Sequence, residues 1–147
     1  MEAIVFIGIQ GSGKSTFFQQ RFFQTHVRIS MDLLKTRYRE QLFLQACILS
    51  QQRFVVDNTN VTAAERARYI QPAAEAGFKV VGYFFDSAVR EAIGRNKQRT
   101  GRAVIPVQGI LGTYKKLQPP QREDGFDLLY RVRISPDDTF LVDEIPA

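Results

Sequence analysis

Gly8-Ile9-Gln10-Gly11-Ser12-Gly13-Lys14-Ser15 holds the residues whose types and spacing most plainly could do chemistry. A glycine, four free positions and then Gly-Lys-Ser is the pattern of a P-loop, and it follows the apolar run Ile4-Val5-Phe6-Ile7. A buried strand that enters a glycine-rich turn and then a helix aims backbone N–H groups, with the positive end of the helix dipole, at a phosphate. On this pattern Gly11, Ser12, Gly13, Lys14, Ser15 and Thr16 surround nucleotide phosphates, as in ATP. Lys14 reaches the β- and γ-phosphates and Ser15 offers its hydroxyl to Mg²⁺. The plain alternative is a tight strand-to-helix turn that is merely rich in glycine, but pattern, position and flanking elements agree on the phosphate site. The spacing is not G-x-G-x-x-G, which disfavours a dinucleotide such as NAD.

Phosphoryl transfer also needs an in-line acceptor, a group to take its proton, a metal, and cations for the transferring charge. In an open parallel sheet these gather beyond the C-terminal ends of the strands. The second strand ends in Ser30-Met31-Asp32, the third in Asp57-Asn58-Thr59-Asn60 and the fourth in Asp86-Ser87. Asp32 is the candidate base for an acceptor hydroxyl, with helix capping as the equal alternative. Asp57 is a candidate holder of Mg²⁺ through water, with an Asx-turn as its alternative. Asp86 reads as structural. The run Arg90, Arg95, Lys97, Arg99, Arg102 is the densest positive stretch. Arg95 and Arg99 share one helix face and fit a lid that closes over ATP; a solvated basic helix is the bland reading.

These residues need elements to position them. Helices are expected at Lys14–Gln24, with Phe18 and Phe22 on one face, and at about Met31–Gln51, with Leu34, Tyr38, Leu42, Ala46 and Leu49 as the apolar stripe. Strands are expected at His26–Ile29, Arg53–Val56 and Phe78–Phe85. Thr62 and Glu65 form a capping box for a helix that runs to Ala76 and stops at Gly77. Ser87 caps a helix to about Arg99, a loop follows to Pro106, and another helix spans about Val107–Leu117. Asp127–Ile134 is the last expected strand, and Ser135–Ala147 is an acidic end. Strands alternating with helices, with no linker or repeat, give one three-layer α/β domain over residues 1–147, a P-loop NTPase-type fold with a mainly parallel central sheet. Its Arg-rich helical lid lies at about residues 90–107 and its acidic tail at 135–147.

The composition bounds the class. With 147 residues and 44% hydrophobic content the chain supports one buried core. A lone cysteine and a lone histidine exclude an internal disulfide and a structural zinc cluster, and point to a reducing compartment. No leader-like segment and no run of membrane-spanning length are read, so a cytoplasmic protein with no membrane partner is expected. Residues 1–122 hold 18 Lys and Arg against 8 Asp and Glu, while residues 123–147 hold 2 against 7. A body of +10 favours polyanionic partners, although a solvated basic surface is the equal alternative.

Taken together, the chain resembles the polynucleotide 5′-hydroxyl kinases. The resemblance runs through GIQGSGKSTF (Gly8–Phe17), Asp32, VVDNTNVTAAERARYI (Val55–Ile70), RNKQR (Arg95–Arg99), IPV (Ile105–Val107), YKKLQPP (Tyr114–Pro120) and EDGFDLLYRV (Glu123–Val132). It implies transfer of the γ-phosphate of ATP, with Mg²⁺, to the 5′-hydroxyl end of DNA or RNA. It further implies that Asp32 is the general base, that Arg99 is the lid arginine with Arg95 beside it, and that Lys35 lies near the acceptor. Asp57 matches the family's strand-end aspartate.

Two departures stand out. The family usually has Asn-Arg-Asp where this chain has Ser30-Met31-Asp32, and the D-x-D-G-T segment of the family's phosphatase partner is not found. Met31 bears on acceptor affinity, and 5′ phosphorylation alone is expected. A small-molecule kinase on the same scaffold, or a nucleotide-binding module without transfer, are the other readings.

Overall fold

Short apolar runs flanked by turn residues build the sheet. The structure, a computed structural model, describes residues 1–98 and 105–147. Its strands are β1 (Glu2–Ile7), β2 (Val27–Ile29), β3 (Phe54–Val56), β4 (Lys79–Phe85), β5 (Leu128–Ile134) and β6 (Phe140–Glu144). They lie in the order β2-β3-β1-β4-β5-β6. β1 to β5 are mutually parallel and β6 is antiparallel to β5. The helices are α1 (Lys14–Arg21), α2 (Met31–Leu34), α3 (Arg37–Ser50), α4 (Ala63–Glu75), α5 (Val89–Asn96) and α6 (Val107–Lys116).

Alternation along β1 sets the layers, because successive side chains of a strand point to opposite faces. Ala3, Val5 and Ile7 pack with Leu44 and Cys47 of α3 and Tyr69, Ile70 and Ala73 of α4. Ile4 and Phe6 pack on the other face with Phe17 and Phe18 of α1, Phe22 and Phe85. Strands apolar on both sides are the mark of a parallel sheet covered by helices, so the α/β three-layer architecture follows. A third cluster, Ile9 with Ala92 and Ile110, seats α5 and α6 beside the P-loop.

Several sequence expectations change. The single helix over Met31–Gln51 is two helices: Lys35 takes φ 73°, and Thr36 starts α3 by accepting the Arg39 N–H at 3.1 Å. This break resets the helical phase, so the buried face of α3 is Glu40, Leu44 and Cys47. Of the expected stripe only Leu34 is buried; Tyr38 is 74% and Leu49 84% exposed, and Leu42 and Ala46 also face outward. α1 ends at Arg21, short of Gln24. Ser87 does not cap α5, whose N-cap is Ala88. Residues 99–104 lie outside the described residues, and with them Arg99, Arg102 and most of the expected loop. Asn96 binds Ile105 across that stretch, donating to its carbonyl at 2.5 Å and accepting its N–H at 2.8 Å.

β5 is not the last strand. The acidic end returns as β6, with Asp143 on Arg133 at 3.1 Å and Glu144 near Arg122 at 3.5 Å. Phe140 of β6 meets Phe17 edge-on at 5.0 Å. No helix among the described residues is long and apolar enough to cross a membrane.

Candidate functional site

The P-loop bends where its sequence permits. Gly11 and Gly13 take φ 76° and 96°, a left-handed conformation that a Cβ disfavours. A Cβ on Gly11 would also stand 2.5 Å from the Ala92 carbonyl of α5. Lys14 folds over the loop, its Nζ donating to the carbonyls of Gly8 at 2.9 Å and Ile9 at 2.8 Å. Arg95 donates to the Gly11 carbonyl at 3.0 Å, and Gln10 donates to Thr113 of α6 at 3.1 Å. The arginine-bearing helix is thus hydrogen-bonded to the loop that it was expected to serve.

Asp57-Asn58-Thr59-Asn60 is the hub that brings the strand ends together. The Thr59 carbonyl accepts the Gly8 N–H at 2.9 Å, and Asn60 Nδ2 donates to the Phe6 carbonyl at 2.8 Å, tying the segment to β1. The Asp57 N–H donates to the Ile29 carbonyl at 2.8 Å, and Asn58 Oδ1 accepts the Met31 N–H at 2.9 Å, tying it to β2 and α2. Asn58 Nδ2 donates to Glu40 at 3.0 Å and to the Tyr69 hydroxyl at 3.2 Å. Tyr69 donates to Glu40 at 3.0 Å, and Arg37 donates to Glu40 at 2.9 Å. Burial, with the Glu40 charge next to it, pushes the Tyr69 phenol above its usual range. This network fixes the turn that carries Asp32. Asp32 itself is exposed in the first turn of α2, and Lys35 is exposed at that helix's end.

Ser15 and Asp57, the two expected metal holders, do meet: Ser15 Oγ donates to Asp57 Oδ2 at 3.2 Å. A hydroxyl and a buried carboxylate at the mouth of a phosphate loop are hard oxygen donors of the kind that Mg²⁺ takes. The residues fit the ion. Asp57 is 3% exposed and needs a positive partner, and Arg28 supplies one, donating from Nε to Oδ2 at 2.9 Å. Asp86 instead pairs with Arg131 at 2.6 Å.

Sequence reasoning missed Arg28, Glu40, Asn58 and Tyr69. Arg28 sits in a three-residue strand, where alternation gives little signal. Glu40 was detectable only through the spacing Glu40-Leu44-Cys47, once the break at Lys35 is known.

The parallel sheet, the glycine-rich loop and the paired Ser15 and Asp57 define a P-loop kinase-like α/β domain. The chain belongs to the AAA domain family (AAA_33), whose model matches residues 35–116. The curated Bifunctional polynucleotide phosphatase/kinase of Schizosaccharomyces pombe is 26% identical over 129 residues, covering 85% of this chain and 32% of that protein. The chain therefore spans about a third of that relative's length. A gluconokinase from Sinorhizobium meliloti 1021 shares the fold with TM-score 0.63 and 19% identity, over 91% of this chain and 83% of that one. The AvrRxo1-ORF1:-ORF2 structure with ATP shares it with TM-score 0.71 and 14% identity, over 96% of this chain and 57% of that one.

Proposed function

We propose that this chain is an ATP-dependent polynucleotide kinase that phosphorylates the 5′-hydroxyl end of DNA or RNA. The observation that carries the reading is the double tether of the Asp57–Asn60 segment: one arm holds the P-loop through Gly8, the other holds the Asp32 turn through Met31. Donor and acceptor machinery are thereby fixed to one rigid turn, which favours in-line transfer. The polynucleotide kinase relative and the basic body support a nucleic acid acceptor.

In this mechanism Gly11, Ser12, Gly13, Lys14, Ser15 and Thr16 hold the donor phosphates, and Arg95 braces the loop. Ser15 and Asp57 would hold Mg²⁺, which when bound offsets the negative charge of the phosphates. Asp32 takes the proton of the 5′-hydroxyl as its oxygen bonds to the γ-phosphorus. The bond from that phosphorus to the bridging oxygen breaks, and ADP leaves. The resemblance assigns to Arg99 the offsetting of the transferring charge and to Lys35 a place near the acceptor. Residues 1–147 act as one kinase unit.

A second reading is favoured by a specific observation. Met31 stands where an acceptor-contacting arginine is expected, and the fold is shared with a gluconokinase, so a small hydroxyl acceptor is the competing substrate class. Transfer of labelled γ-phosphate to matched 5′-hydroxyl DNA and RNA oligonucleotides tests both. Labelling that is lost in Asp32→Ala, with ADP affinity retained, supports the first reading. No labelled oligonucleotide alongside intact ATP binding transfers the case to small acceptors.

A further inference from the structure

Arg28 is the residue that the kinase reading leaves unexplained. Its guanidinium closes a triangle with the two expected metal holders. Nε donates to Asp57 Oδ2 at 2.9 Å, and a terminal nitrogen donates to Ser15 Oγ at 3.2 Å. Ser15 Oγ in turn lies 3.2 Å from the same Oδ2. The arginine stands over the Phe18 ring at 6.0 Å from its centroid. Its side chain is 28% exposed against 3% for Asp57, so the carboxylate is the enclosed member of the pair and the arginine the one with a way out.

We infer that Arg28 is a resident cation of the nucleotide–metal site, holding Ser15 and Asp57 together in the nucleotide-free protein and giving them up when a divalent cation binds. The inference rests on Ser15 and Asp57 being the Mg²⁺ holders proposed above. A carboxylate this enclosed requires a positive partner at all times, because an unpaired buried charge is strongly destabilising. Arg28 meets that need while the site is free of metal. A divalent ion beside Oδ2 would meet it too, but the ion and the guanidinium repel each other, and both need the Oδ2 and Oγ lone pairs. The two cations exchange at one site, and the exchange sets how much Mg²⁺ the protein requires. A simple bystander arginine that stayed to bind phosphate would act with the opposite sign, strengthening metal-nucleotide binding.

The test titrates fluorescent methylanthraniloyl-ADP into wild type, Arg28→Met and Arg28→Lys, in excess EDTA and across a Mg²⁺ series. A Mg²⁺-dependent gain in wild-type affinity checks the underlying assignment, and the shift between variants checks the inference. In Arg28→Met the free Mg²⁺ needed for half of that gain should fall about tenfold, the size expected when a hydrogen-bonded charge no longer competes. Affinity in EDTA reads the effect of the lost charge on nucleotide binding by itself, so each variant's Mg²⁺ midpoint is compared against its own metal-free affinity. Mg²⁺ alone should raise the melting temperature of Arg28→Met more than that of wild type. If Arg28→Met does not fold, Arg28→Lys decides, because it keeps the charge, gives up the fork and should shift the midpoint downward by less. An unchanged or higher Mg²⁺ midpoint in the folded variant overturns the inference, even with the wild-type dependence intact.

Discussion

Asn58 Oδ1 accepts the backbone N–H of Met31 at 2.9 Å, one residue after Asp57 and one before Asp32. Through this bond the position of a candidate base depends on an amide from another strand end. The amide is itself locked from behind by Glu40 and Tyr69.

Asn58→Ala removes that lock without touching the P-loop. Met31 loses its acceptor, and Glu40 and Tyr69 lose a donor, so stability is expected to fall by about 1–3 kcal/mol in urea denaturation. The Asp32 turn loosens, and a displacement of about 1 Å costs on the order of 100-fold in transfer. Binding of ADP should change by less than about twofold. An equal loss in ADP affinity would assign Asn58 to the donor side.

Gly11→Ala probes the contact between the P-loop and α5. The new Cβ must accept φ 76° and also a carbonyl oxygen at 2.5 Å. The left-handed conformation and the forced packing together should cost about 2–4 kcal/mol, with nucleotide binding lost. Gly94→Ala on the same helix is the control. Its Cβ meets nothing within 4 Å among the described residues, so it should stabilise by about 0.5–1 kcal/mol through helix propensity. Equal stability of the two variants would mean that α5 does not bear on the loop.

Much of this site was legible. The P-loop spacing is local, so strand, turn and helix follow from adjacent residues. Asp57–Asn60 was read correctly as the residues that end β3. Its role as a hub was not legible, because the partners are long-range: Glu40 belongs to α3, Tyr69 to α4 and Met31 to α2. A charged residue in a helix ordinarily reads as solvated. Glu40 is 2% exposed because three side-chain donors meet there, and nothing in its neighbours announces that. The helix break was hidden for another reason: Lys35 adopts a positive φ without being glycine, and only Thr36 as a cap hints at it. The β6 return was missed because its apolar signal is only the three residues Phe140-Leu141-Val142 inside an acidic end, and the pairing of Asp143 with Arg133 and of Glu144 with Arg122 is not written in the local pattern.

Tyr83 gives a prediction whose sign follows from its surroundings. Its ring stacks on Tyr130 at 5.1 Å between centroids, on the face that carries Phe6 and Phe17. Burial first, then the neighbouring Tyr130 and Glu2 against the opposing pull of Arg21, pushes its phenol up to about 12. In the unfolded chain the same phenol titrates near about 10. Below about pH 10 both states keep the proton, and this contribution to stability is fully present. As pH rises further the unfolded chain releases its proton while the folded one retains it, so stability falls until the folded phenol also ionises. Tyr83→Phe cannot release a proton in either state. Between about pH 10 and 12 its stability should therefore decline less steeply than that of wild type, by at most about 1.4 kcal/mol per pH unit. Urea denaturation of both proteins across that range measures the difference, and lysine titration cancels because it is common to both. Curves that stay parallel throughout would show that the folded phenol ionises as it does in the unfolded chain.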